Sequence, residues 1–370
     1  MKEGINVLSL FDGMSCGQIA LDKLGVKVNK YFACEIDKYA MQVTQHNFPD
    51  TIQLGDVQFV TKETFGNHKI DIIIGGSPCQ GFSFAGKMLN FDDPRSKLFF
   101  EYVRLVKDLK PKYFLLENVK MKKESQDIIT EYMGVEPIEI NSALVSAQTR
   151  KRLYWTNIPN VGQPEDKGIV LKDILDYSVS KQLSEKEMAY MEAGNEKWTG
   201  AKNSRFEHYG KTEHDKAGCL TANQYKGVPY GVIGLEQVDG KLRHPEATKK
   251  GYAEAGEGEG LDLTFPQSNT RRGRAMKDKS NCLTAASHEM GIVEEHKELR
   301  PATNAYEDKK LVWRKLTPLE CERLQTVPDG YTLVLDENGK QLVSDSQRYK
   351  MLGNGWTIDV ITHIMKNIEL

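Results

Sequence analysis

The sequence holds 370 residues, 39% hydrophobic and 28% charged, with a formal net charge of −2. That composition describes a globular chain with room for one large domain or two, and it excludes a disordered one. A near-balanced charge leaves any nucleic-acid contact to a local basic face. No apolar run approaches the ~20 residues of a membrane span and the start lacks a secretory pattern, so a cytoplasmic protein with no membrane contact is expected.

In chain order, residues 5 to about 157 alternate short apolar runs with amphipathic stretches. Strands are predicted at 5–10, 30–34, 70–74, 113–116, 137–140 and 152–156, and helices at 17–24, 39–47 and 96–109. In the last, Phe99, Tyr102, Val103, Val106 and Leu109 recur at helical spacing. Such β-α alternation predicts an α/β fold with a doubly wound, mostly parallel sheet. From about 160 to 311 glycines multiply and periodicity weakens, with Lys216–Ala222 echoed by Lys279–Ala285. After Trp313 helical patterning returns, at 317–325 and 358–368. The organisation predicted is a first domain over 1–159, a smaller, irregular, β-rich domain over 160–311, and the end of the first domain over 312–370.

Cys16, Cys34, Cys79, Cys219, Cys282 and Cys321 form no C-x-x-C pair. Neither a zinc site nor a disulfide framework is expected, and no metal. Ligands of doubly wound sheets bind beyond the carboxyl ends of the strands, where the informative residues fall. FDGMSCG at 11–17 joins the first strand to the first helix, its glycines allowing close backbone approach. Glu35 ends the second strand, about 20 residues on, where a ribose hydroxyl is often gripped. Asp56 ends the next. Singly each acid reads more readily as a solvated one; together they favour an adenosine-containing cofactor. GGSPCQGFS at 75–83 leaves the following strand through two glycines and holds Cys79 behind Pro78. Glu117 follows Leu116 directly, and Gln148, Arg150 and Arg152 alternate along one face of an extended segment. A thiol, an acid and guanidiniums on one rim point to nucleophilic chemistry.

These segments, with RKLTPLECERLQTVPDGY and MLGNGWT near the end, resemble the DNA cytosine-5 methyltransferases over residues 5–157 and 313–370. The resemblance implies S-adenosylmethionine as methyl donor, S-adenosylhomocysteine as product and duplex DNA as substrate for a monomeric enzyme. It implies that Cys79 attacks C6 of a flipped-out cytosine, that Glu117 meets N3 and the amino group, that Arg152 holds O2, and that Arg150 supports the loop. For the cofactor it implies Phe11 on adenine, Glu35 on the ribose and Asp56 on the adenine amino group. Asp12, Gly13, Gly17, Ile36, Val57, Pro78 and Leu98 would shape the pocket, with Asn354 and Trp356 near the methionine end. Gln80 and Ser83 are expected to face the DNA, as are Arg205, Arg271, Arg272 and Arg274 of the middle region, where this family reads its target. The chain departs from the family pattern at Asp12, at Ser15, where many members carry glycine, and at Gly355-Trp356, where a small residue plus valine is commoner. The same segments occur in tRNA cytosine-5 methyltransferases, but about 150 middle residues favour a DNA groove. An inactive relative is disfavoured because Cys79, Glu117 and Arg152 are all retained.

Overall fold

A computed structural model of the chain describes residues 4–77, 94–176, 236–246, 248, 250, 252–262, 275–276, 278–280, 290–295 and 311–369. Its contacts divide into two compact units, one holding Met1–Ile169 and Pro318–Leu370, the other Val170–Asn281 and Ser287–Thr317.

The first unit is built on a seven-stranded sheet. Its strands are β1 (Ile5–Leu10), β2 (Val28–Cys34), β3 (Ile52–Gln53), β4 (Ile72–Gly75), β5 (Tyr113–Val119), β6 (Ile138–Asn141) and β7 (Lys151–Thr156). They lie in the order β3-β2-β1-β4-β5-β7-β6. Neighbours from β3 to β5 are parallel, whereas β7 runs antiparallel to both β5 and β6. The order reverses between β1 and β4, which opens a crevice at the carboxyl ends of those two strands.

Helices α1 (Cys16–Lys23), α2 (Lys38–Asn47), α3 (Pro94–Leu109) and α4 (Lys123–Met133) fall between the strands. The later helices are α5 (Pro318–Leu324), α6 (Asp345–Asn354) and α7 (Ile358–Met365). Because successive strand residues point to opposite faces, the sheet is apolar on both. On one face Leu8, Leu10, Phe32, Ile73, Leu116 and Trp155 pack with Phe99, Tyr102 and Val103 of α3 and Ile129 of α4. On the other, α1 lies close enough that Gly17 faces Ile74 and Tyr31, and α7 packs beside α1. Each such side chain, fully buried, contributes about 1.5–3 kcal/mol.

The doubly wound sheet stands as predicted. Of the strand boundaries that move, the one that bears on the site is that of β5, which continues past Leu116 to Val119, so Glu117 belongs to the strand instead of following it. The reason is β7, which pairs antiparallel alongside and supplies ladder partners for Glu117, Asn118 and Val119. Two helices escaped the apolar periodicity. Helix α4 buries only Ile129 and Met133, and α6 buries Arg348 along with Met351 and Leu352.

In the second unit the described residues form two antiparallel sheets. Strands β8 (Glu236–Val238), β9 (Lys241–Pro245) and β10 (Tyr252–Ala255) make one, ordered β10-β9-β8. Strands β11 (Gly260–Asp262), β12 (Ala275–Met276), β13 (Met290–Glu295) and β14 (Leu311–Lys315) make the other, ordered β12-β11-β13-β14.

Candidate active site

The loop after β1 is held in an uncommon shape. Phe11 and Ser15 take left-handed backbone at φ 58 and φ 65, a conformation that costs side-chain-bearing residues about 1–3 kcal/mol and gathers at functional sites. Gly13, at φ 58, has open space where a side chain would stand. Glu35 at the end of β2 clamps this loop: one carboxylate oxygen accepts the Gly13 N–H at 2.7 Å, and the other accepts those of Ile36 and Asp37, each at 2.7 Å. Beside it Ile36 is 76% exposed, a large apolar side chain held out of the core. Asp56 caps the short turn Val57–Phe59 through the Gln58 N–H at 3.0 Å, and the Gln58 side chain also donates to it. Val57 is buried below.

Asp12 and Ser15 are buried in the same loop. Tyr31 donates to one Asp12 oxygen at 2.9 Å, while the other oxygen and the Ser15 hydroxyl have no hydrogen-bond partner. Burial pushes the Asp12 carboxyl up from 3.8 to about 6, outweighing the hydroxyls around it. The loop is braced from the C-terminal segment by Tyr331, whose hydroxyl donates to the Met14 carbonyl at 2.8 Å. Leu98 lies half-buried on the α3 face of the core, and Asn354 is exposed at the end of α6.

Two strands across the sheet from β1, a second cluster forms around Glu117 on β5, which is 9% exposed. Glu117 Oε1 lies 2.9 Å from Arg152 Nε on the neighbouring β7. Its Oε2 accepts the indole N–H of Trp356 at 3.1 Å. Asn118 donates to the Ser77 carbonyl and hydroxyl, each at 3.4 Å, tying β5 to the chain as it leaves β4. Arg150 is buried and donates to the carbonyl of Gly353 at 3.3 Å and that of Gly355 at 2.8 Å. It thus grips the backbone that delivers Trp356, while Arg152 faces Glu117.

The whole length beyond the first four residues has a counterpart in known sequences. The family model described as C-5 cytosine-specific DNA methylase matches residues 5–370. The chain belongs to that family. It is a DNA cytosine-5 methyltransferase, and families of this kind generally take S-adenosylmethionine. The methylase is 28% identical to the type II methyltransferase M1.ScrFI of Lactococcus lactis subsp. cremoris, over 98% of this chain and 77% of that protein. It is 27% identical to M.HhaI of Haemophilus parahaemolyticus, over 99% and 94%. Among solved structures, an E. coli prophage-encoded DNA modification methyltransferase described as putative matches with a TM-score of 0.56 at 20% identity, each chain covered to 98%. Spodoptera frugiperda DNMT2 matches at 0.58 and 19%, with 98% of this chain and 99% of that one covered. At that identity both show the fold alone.

The methylase's expected nucleophile segment, Pro78, Cys79, Gln80 and Ser83, lies outside the described residues, as do Arg205, Arg271, Arg272 and Arg274. Of the thiols that are described, Cys16, Cys34 and Cys321 are buried and in no disulfide. Burial pushes the first two up to about 12, which leaves them inert. Among the described residues no group of three or more His, Cys, Asp or Glu could hold a metal, and no helix is long and apolar enough to cross a membrane.

One buried residue that the sequence reading passed over joins the parts of the methylase. Gln325 donates to the Leu352 carbonyl at 2.7 Å, and its side-chain oxygen accepts from Gln148 at 3.1 Å and Thr357 at 2.8 Å. The signal was present, since Gln148 and Gln325 both lie in matched segments, but neither has chemistry of its own to draw attention.

Proposed function

We propose that the methylase transfers a methyl group from S-adenosylmethionine to C5 of a cytosine flipped out of a specific duplex DNA sequence, through a covalent bond from Cys79 to C6. The observation that carries this reading is the Glu117–Arg152 pair beside the exit of β4, with Asn118 holding Ser77. Cys79 follows Ser77 by two residues, a reach of at most ~7 Å.

The loop after β1 fits the cofactor. Glu35, Asp56, Phe11 and Ile36 would hold the adenosine end, and the unpartnered Asp12 oxygen and Ser15 hydroxyl would meet polar groups of the methionine end. When bound, the cofactor supplies an electrophilic methyl group. The chain's own residues prepare the base. The Cys79 thiolate forms a bond to C6, the electron pair of the 5,6 double bond moves toward C5, and Glu117 stabilises the base at N3 while Arg152 holds O2. After C5 has been methylated, loss of its proton re-forms the double bond and expels the thiolate. A positive neighbour is needed because a free thiol of pKa ~8.5 is mostly protonated at neutral pH.

The second unit is the target-recognition domain in this reading, and the enzyme works as a monomer. Its role is that of a modification methylase of a restriction system, as for M1.ScrFI and M.HhaI, or of a solitary phage or host enzyme. Duplex DNA carrying 5-fluorocytosine tests the nucleophile, because fluorine at C5 blocks the final elimination. The parent enzyme is expected to give an adduct that survives a denaturing gel, and Cys79→Ala to give neither adduct nor methylation. Trapping by the alanine variant would assign the attack to another group.

A further inference from the structure

Trp356 lies against the base-facing acid of the site. Its indole N–H reaches Glu117 Oε2 at 3.1 Å, and the residue is 9% exposed. An indole nitrogen only donates, so this contact fixes which oxygen faces the ring. Arg152 Nε takes Oε1 at 2.9 Å. Two donors from different elements, one on β7 and one after α6, thereby fix the carboxyl plane.

The approach of the indole is built in from three sides. Arg150 donates to the Gly355 carbonyl at 2.8 Å, and the Trp356 N–H donates to Cys16 Sγ at 3.4 Å. Gly355 itself sits so close to Met14 and Cys16 that a Cβ would come within 3.0 Å and 3.2 Å of their side-chain atoms. On the β4 side, a Cβ on Gly76 would fall 2.8 Å from Glu117 Oε2 and 3.2 Å from the indole nitrogen. The carboxylate and the indole therefore occupy the space that this glycine leaves open.

We propose that Trp356 is a positioning residue for Glu117, aiming the carboxyl at the cytosine, and not principally a wall of the cofactor pocket. The proposal rests on the reading of Glu117 as the group that meets the base. The described groups that bear on the pair are Arg152 on Glu117, Arg150 on the backbone behind the indole, and the Cys16 thiol under Trp356.

Trp356→Phe keeps an aromatic ring and removes the donor, and Gly76→Ala displaces the same contact while leaving both partners intact. Each variant is measured for cofactor affinity by calorimetry, for single-turnover methylation across pH, and for adduct formation on 5-fluorocytosine DNA. Both are expected to lose roughly tenfold in turnover, as for one hydrogen bond to a charged group. Because the lost contact bears on the base-facing carboxyl itself, the pH–rate profile of both variants is expected to change along with turnover. Cofactor affinity is expected to stay within about twofold of the parent, a range that corresponds to well under one ordinary hydrogen bond. Weakened cofactor binding with unchanged turnover at saturation and an unmoved profile would overturn the proposal, as would two variants indistinguishable from the parent. Glu117→Gln, run alongside, separates the two levels. If it falls by roughly 10²-fold while Trp356→Phe and Gly76→Ala turn over normally, only the positioning role fails. If it turns over normally, the base-facing reading of Glu117 fails and the positioning role with it.

Discussion

Asp12 is buried in the left-handed loop after β1 with one oxygen unpartnered, and it makes folding sensitive to pH. Its carboxyl is raised to about 6 in the folded chain, chiefly by burial, against about 3.9 in an unfolded one. Below both values it is protonated in either state and nothing is lost. As pH rises, the unfolded chain releases this proton first, so folding becomes progressively less favourable up to about pH 6. Above that the full penalty, about 3 kcal/mol at 1.36 kcal/mol per unit, is in place. Asp12→Asn removes the titration. Urea unfolding without cofactor should show the variant gaining about 2–3 kcal/mol on the parent between pH 4 and pH 8. A difference that does not change with pH would mean that the carboxyl is not titrating in the folded protein. A cofactor group that neutralises Asp12 would recover part of this energy on binding.

At the scale of elements, the distance between α1 and the sheet is set by Gly17. A Cβ there would fall 2.1 Å from Ile74 Cδ1 and 3.1 Å from the Tyr31 hydroxyl, and Ile74 is fully buried. Gly17→Ala is therefore expected to destabilise by about 1–3 kcal/mol through overpacking, less up to about 1 kcal/mol of helix propensity. Ile74→Val deletes the colliding methyl. The double variant should be more stable than the sum of the two single changes by at least about 1 kcal/mol, read as a coupling energy from thermal or urea unfolding. Additive effects would mean that α1 shifts as a body to make room. Such a shift would also move the loop that Glu35 clamps, and cofactor affinity would fall with stability.

At the scale of the molecule, the chain forms two compact units, and the proposed function gives sequence specificity to the second. Arg205, Arg271, Arg272 and Arg274 are the residues expected to meet DNA there. If one of them reads a guanine edge, its replacement by alanine should relax the methylated context at one position by about 1–3 kcal/mol. A phosphate contact would instead weaken every sequence alike and reduce the salt dependence. Bisulfite sequencing of randomised DNA treated with the four variants distinguishes the two. An unchanged context in all four with full activity would remove these arginines from recognition.

The parallel half of the sheet was legible in the sequence because buried strands such as Ile72–Gly75 are continuous apolar runs bounded by glycine. Helix α6 was not, because it buries an arginine on Glu322, which also accepts from Thr332, and charge at a buried position hides the helical period. The acids and arginines of the site were legible as residue types at strand ends. Which arginine meets which group was not. Arg150 and Arg152 alternate identically in sequence, yet one grips the Gly353 and Gly355 carbonyls and the other faces Glu117. Residues 355 and 356 lie more than two hundred positions from these arginines, and only folding brings them to the end of β5. The sequence by itself determined the doubly wound sheet and the family, since those depend on local period and residue type. Tertiary structure alone decided that Trp356 lies on Glu117, because a hydrogen bond between distant segments depends on backbone placement that no local pattern encodes.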